Sequence, residues 1–264
     1  MSPYKIYITA GLIYLVHLAT SLILSYDVIP SYHDTAIKTV VKLLLVVVLA
    51  VAISRCILYV GLWQYNWVFL VLGLLLFYLA IMYKTTSTKE PGMYLDQYAH
   101  YFFLFWCVLT AVFEELLFRV FLFNGILRSF KYQKKKGALL GAMLWTSVLF
   151  GLAHISNFFE SDHHPYSVTS KIIIAFGLGL LFQSVYVRFK NLSIIVMLHA
   201  IINYLGGFKG KVLAHVNDPK ENIYTFSEFV ETLTVALMFL IVLVAPIVYL
   251  TVRRELRSGM RTFK

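Results

Sequence analysis

Residues 113–119 read FEELLFR, and the run around them, Tyr101 to Leu127, holds no other charged residue. On a helix, Glu115 and Arg119 stand four apart on one face and can pair. Glu114 then lies about 100° around the axis and points elsewhere. A carboxylate anchored by a cation beside a second carboxylate suits acid–base chemistry, and a purely structural Glu–Arg pair is the alternative reading. Two further placements bear on that choice. His154 closes FGLAH, residues 150–154, one helical turn after Phe150. In HAIIN, residues 199–203, His199 and Asn203 are separated by four and share a helical face. A carboxylate and two histidines brought together can activate water, directly or through a metal.

The elements that must position these groups are membrane helices. The chain has 264 residues, 60% hydrophobic and 14% charged, whereas soluble domains are nearer a quarter charged. The expected fold is all-α: a polytopic bundle of about eight spans forming a single domain over residues 1–264. Apolar length and flanking polarity place the spans near 4–26, 38–62, 65–83, 100–127, 137–158, 168–187, 191–205 and 229–251. The first is expected to be an uncleaved span. The seventh is short, and 206–228 reads as the longest polar connection. Gly137 and Gly141 form a GxxxG at the start of the fifth span, a pattern that permits close helix packing.

The net charge of +10 comes from basic residues that mostly flank apolar runs, which suits membrane orientation and gives no nucleic-acid face. RSFKYQKKK (128–136), RFK (188–190) and the tail from Arg253 are the concentrated basic segments. Eight spans put all three on one side with both termini, and that side is expected to be cytoplasmic.

Charge placement then becomes an energetic question. Each charge at the centre of a span costs about 2.5–3.5 kcal/mol, so three isolated ones would cost roughly 8–10. They are not expected to face lipid, and intramembrane ionisable residues are functional candidates by default. A lone membrane histidine such as His17 is read as a packing residue, and His33, His163, His164 and His215 fall in expected loops. Several chemistries are excluded. There is no HExxH, no GxSxG and no aspartate well inside a span. Cys56 and Cys107, both in apolar segments, offer no disulfide framework.

EELLFR (114–119), FGLAH (150–154) and HAIIN (199–203) resemble the EExxxR, FxxxH and HxxxN motifs of the CPBP intramembrane proteases. That family includes CAAX prenyl endopeptidases and bacterial proteins linked to bacteriocin processing or self-immunity. The three motifs stand in family order within about residues 100–205. The resemblance implies an intramembrane endopeptidase with a water-accessible cavity. Glu114 would activate water with help from His154, His199 and Asn203 would stabilise the oxyanion, and Glu115 and Arg119 would support them. No cofactor is favoured; if a metal takes part, Glu114, His154 and His199 are its expected ligands and zinc suits that set. The expected partners are the lipid bilayer and a membrane-associated or lipidated peptide. The compact chain with short loops resembles the bacterial members, and the expected location is a bacterial plasma membrane. A non-catalytic immunity or regulatory scaffold of the same fold is the competing reading. A proton-coupled carrier is a third, without the inverted repeats that would support it.

Overall fold

The computed structural model describes residues 97–133, 137–155, 165–214 and 226–257, together with positions 43, 44, 47, 48, 75, 78, 94 and 95. The first three expected spans lie outside these residues except at those isolated positions, and so do His17, His33, His163, His164 and His215. The described architecture is helical. Helix α1 is Gln97–Glu115, followed by a π-helical segment at Leu116–Leu122 and α2 at Phe123–Tyr132. Next come α3 (Ala138–Leu152), α4 (Pro165–Phe189), α5 (Leu192–Val212) and α6 (Phe226–Met238). A second π segment, Phe239–Val244, leads into α7 at Ala245–Arg257. Strands β1 (Tyr94–Leu95) and β2 (Leu213–Ala214) form a two-residue antiparallel pair.

Among the described residues, three stretches are long and apolar enough to cross a membrane: Ala138–Ile155, Pro165–Phe189 and Ser227–Arg257. They correspond to the expected fifth, sixth and eighth spans. The seventh holds a shorter apolar helix, Leu192–Gly206. The boundaries differ from expectation in ways the sequence explains. Helix α4 starts at Pro165, inside the expected loop, because proline fits the first helical position where no N–H bond is lost. Helix α5 runs on through GGFKGKV to Val212, so the polar connection begins later than expected. The second π segment precedes Pro246, whose missing N–H and bulky ring disturb the α-helical bonding upstream.

The chain divides into two compact units. The first contains Leu116–Lys190 and Ile223–Lys264. Here α3 and α4 run antiparallel in close contact. A Cβ on Gly151 would lie 2.9 Å from the Ile172 carbonyl oxygen, and one on Gly179 would lie 3.1 Å from the Ser147 Cα. The GxxxG glycines behave otherwise. Gly137 is the left-handed residue before α3, with φ of 74°, and Gly141 faces the Phe130 ring. Close approach therefore uses glycines deeper in the helices.

Three hydroxyls buried in these helices bond to their own backbone: Thr146 to the Ala142 carbonyl, Ser147 to that of Met143 and Ser184 to that of Leu180. Such bonds satisfy groups that hydrocarbon cannot. Leu140, Leu144, Trp145, Val148 and Leu152 make an exposed apolar face on α3, as a lipid-facing helix requires. Helix α4 also runs parallel to α6 and the second π segment. Tyr166 stacks on Phe229 at 5.1 Å, and eleven residues further along both chains Gly177 meets Leu240.

The second unit contains Trp63–Glu115 and Asn191–Asn222. Its described part is an antiparallel pair of helices, α1 and α5, with the β1–β2 clasp at one end. Further along, the Phe103 and Tyr204 rings lie 5.9 Å apart beside buried Cys107. The Asn191 Oδ1 caps α5, accepting from the Ser193 N–H at 2.9 Å.

The glycine contacts give a graded expectation. Gly151→Ala presses a methyl on an immobile carbonyl and should destabilise by about 1–3 kcal/mol. Gly177→Ala meets side chains, Leu240 and the edge of Phe239, and no backbone, and a gain in helix propensity offsets those contacts. Thermal unfolding of the two purified variants in one detergent should rank Gly151→Ala well below Gly177→Ala; the reverse order would contradict this packing.

Candidate active site

In the second unit, α1 delivers Glu114 and Glu115 at its last two positions and α5 delivers His199 and Asn203 one turn apart. Antiparallel packing sets the register. Tyr94 opposite Ala214 and Phe103 beside Tyr204 hold the two helices antiparallel, and the end of α1 meets α5 at His199. Glu115 is fully buried, and its Oε1 lies 2.8 Å from His199 Nδ1. The other ring nitrogen, Nε2, lies 3.6 Å from Glu114 Oε2. One imidazole thus stands between two consecutive carboxylates contributed by another helix.

An ionised carboxylate can only accept, so the short contact is an Nδ1–H donating to Glu115. That bond fixes the ring and leaves Nε2 directed to the Glu114 side, the way a buried carboxylate orients a catalytic or metal-bound histidine. Glu114 keeps a little solvent exposure, 12% of its side chain, whereas Glu115 has none. The two glutamates are therefore distinguished by environment: one is enclosed on a histidine, the other lies at the edge of the enclosed region. Asn203, half-buried, sits one turn beyond His199 on α5.

The first unit holds the remaining motif residues. Arg119 lies in the first π segment, where i→i+5 bonding shifts residues four apart out of the alignment an α-helix gives. Its guanidinium carbon is 4.8 Å from the centre of the Phe150 ring and 5.8 Å from that of Phe182. Asn124 Nδ2 donates to the Val120 carbonyl at 2.7 Å, capping a carbonyl near the end of the π segment. Phe118 meets Phe150 edge-on at 5.1 Å, and the His154 ring does so at 5.6 Å. His154 Nδ1 lies 3.1 Å from the Phe150 carbonyl oxygen. A carbonyl only accepts, so Nδ1 carries the proton and a neutral His154 ring presents Nε2 as its acceptor.

The structure thus brings Glu114, Glu115 and His199 together, with Asn203 on the same helix face. It places Arg119 and His154 around Phe150. Phe150 is a residue whose role the spacing alone did not reveal, although the FxxxH pattern contains it. His199 is a partner of Glu115 that spacing along the chain could not show.

The donor set bears on a metal. Glu114 Oε2 and His199 Nε2 converge, while Glu115 occupies the other ring nitrogen. Among the described residues no group of three histidine, cysteine, aspartate or glutamate side chains is arranged to hold an ion. Within the second unit, Glu114 and His199 thus supply two of the three protein ligands that a catalytic zinc site takes.

The Nδ1–Glu115 bond is testable. In 15N-histidine-labelled protein, His199 should carry a proton on Nδ1. Glu115→Gln, which keeps an acceptor, should preserve that pattern, and Glu115→Leu should lose it along with about 1.5–3 kcal/mol of stability. An unchanged His199 signal in the leucine variant would remove Glu115 as its orienting group.

Residues 96–205 match the family model described as type II CAAX prenyl endopeptidase Rce1-like. No curated protein and no solved structure matches the chain. The matched stretch begins just before α1 and ends within α5, and so contains EELLFR, FGLAH and HAIIN entire. Over residues 96–205 the chain is thus similar to the Rce1-like CAAX proteases, the kind that the three motifs resemble.

Proposed function

We propose that the protein is an intramembrane endopeptidase that cuts a peptide bond in a membrane-associated or lipidated peptide. The observation that carries this reading is the meeting of Glu114 and Glu115 with His199, inside a region that matches a protease family. Glu114, the more accessible carboxylate, takes a proton from water as the oxygen bonds to the substrate carbonyl carbon. His199, held by Glu115 through Nδ1, acts as the doubly protonated imidazolium and donates from Nε2 to the developing oxyanion, with the Asn203 amide as second donor. Donors fixed in advance in a water-poor site stabilise such charge strongly. Collapse breaks the C–N bond, and the proton held by Glu114 passes to the leaving amine. By the family resemblance, His154 is proposed to assist Glu114 in activating the water.

The setting proposed is a multi-pass protein with both termini cytoplasmic, in the plasma membrane of a bacterium. The substrate bond is proposed to lie near the C-terminus of its peptide, the region a CAAX endopeptidase acts on.

Purified protein in detergent or nanodiscs, given a lipidated C-terminal peptide, should cleave it. Glu114→Ala and His199→Ala should each reduce kcat/KM by at least a hundredfold while the variants remain folded. Asn203→Ala should lower kcat more than it raises KM, since an oxyanion donor acts in the transition state. Cleavage should survive 1,10-phenanthroline. Full activity in both the Glu114 and His199 variants overturns the mechanism. Loss of cleavage to the chelator, restored by zinc, overturns its metal-free form and makes Glu114, His154 and His199 ligands.

A further inference from the structure

Lys131, Arg188, Lys190, Arg253, Arg254 and Arg257 of the first unit lie at or near the ends of their helices. Helix α4 and the α6–α7 run are parallel and in step, from Tyr166 on Phe229 to Gly177 on Leu240. The same register carries the end of α4, with Arg188 and Lys190, to the level of Val252 and Arg253. At this end Glu255 is buried and interacts electrostatically with Lys131 of α2, whose ammonium is held below the usual lysine value by burial, with Glu255 partly offsetting. Because Glu255 turns inward, the outer face of α7 is left with Arg253, Arg254 and Arg257, all exposed.

That face carries a shallow groove of about 360 Å³, lined by Tyr249, Val252, Arg253, Leu256 and Arg257. The spacing is that of a single helical stripe, and the Arg253 guanidinium lies 5.9 Å from the Tyr249 ring centre. Its walls are apolar and its rim is cationic. Groove and membrane also meet at the same depth. The apolar helix Ser227–Arg257 has 31 residues, roughly 46 Å at about 1.5 Å per residue, against about 30 Å of hydrocarbon. Its arginine-bearing end therefore reaches the headgroup layer, where tyrosine and arginine side chains characteristically sit.

We infer that this groove binds an anionic phospholipid, with the phosphate between Arg253 and Arg257 and the start of an acyl chain along Tyr249, Val252 and Leu256. A lipid presents both chemistries in the required order along the membrane normal. An acidic protein segment would use the arginines and leave the apolar wall, continuous with exposed Leu250 and Tyr249, unexplained. Each basic residue near an anionic surface strengthens binding by about fivefold. Two arginines in the groove then give a preference for anionic over zwitterionic lipid of about 25-fold.

Native mass spectrometry of the whole protein, released from detergent containing equal phosphatidylglycerol and phosphatidylcholine, reads this preference directly. The wild type should retain one phosphatidylglycerol, and Arg253→Gln/Arg257→Gln should lose the preference. Glycerol 3-phosphate, a headgroup without a chain, should not displace the lipid. The substituted side chains are exposed, so an unchanged melting temperature in phosphatidylcholine is expected; if the double variant unfolds, Arg257→Gln alone should show a fivefold loss. Equal retention by wild type and variants overturns the proposal. So does displacement by glycerol 3-phosphate, or by a soluble polyglutamate peptide.

Discussion

A carboxylate with no solvent access must find its partner in the protein, and for Glu115 that partner is His199. Water would otherwise solvate the charge, and hydrocarbon offers nothing equivalent. Their 2.8 Å bond ties the end of α1 to the middle of α5, and the rest of the second unit can be understood as what makes that bond reachable. The β1–β2 clasp and the Phe103–Cys107–Tyr204 packing set the antiparallel register. The Asn191 cap starts α5 at a defined residue. A slip of one residue would turn the His199 side chain by about 100°, away from both glutamates.

The same rule, that polar groups in a membrane are satisfied internally, shapes the first unit by other means. Hydroxyls of Thr146, Ser147 and Ser184 fold back on their own helices, and Asn124 attends to carbonyls at the end of the π segment. Arg119 lies over aromatic faces, with Phe150 nearest. Phe150 is thereby more than filler: its ring serves a cation and its carbonyl sets the His154 tautomer. A single side chain and its own backbone thus connect the EExxxR and FxxxH patterns.

Much of this was legible in the sequence where the signal is local. The apolar runs marked α3, α4 and the α6–α7 helix, and the i, i+4 spacing put His199 and Asn203 on one face. The charges at 114, 115 and 119 identified themselves by their cost in hydrocarbon. What stayed hidden was non-local or geometric. Counting along a chain reaches only near neighbours such as Arg119, while His199, which bonds Glu115, lies 84 residues away. The π segments leave no mark on hydropathy, although Pro246 accounts for one. The glycines that allow close approach, Gly151 and Gly179, do not fall in the GxxxG pattern.

The separation of 84 residues between Glu115 and His199 also has a consequence in time. A ribosome adds about 5–20 residues per second, so the two glutamates are made roughly 4–17 seconds before the histidine they meet. In that interval α2, α3 and α4 are synthesised, and the end of α1 must wait with its carboxylates protonated, paired provisionally or held near water. The second unit can close only when α5 emerges. Maturation of the site is therefore a late event in biogenesis, gated by the arrival of one helix.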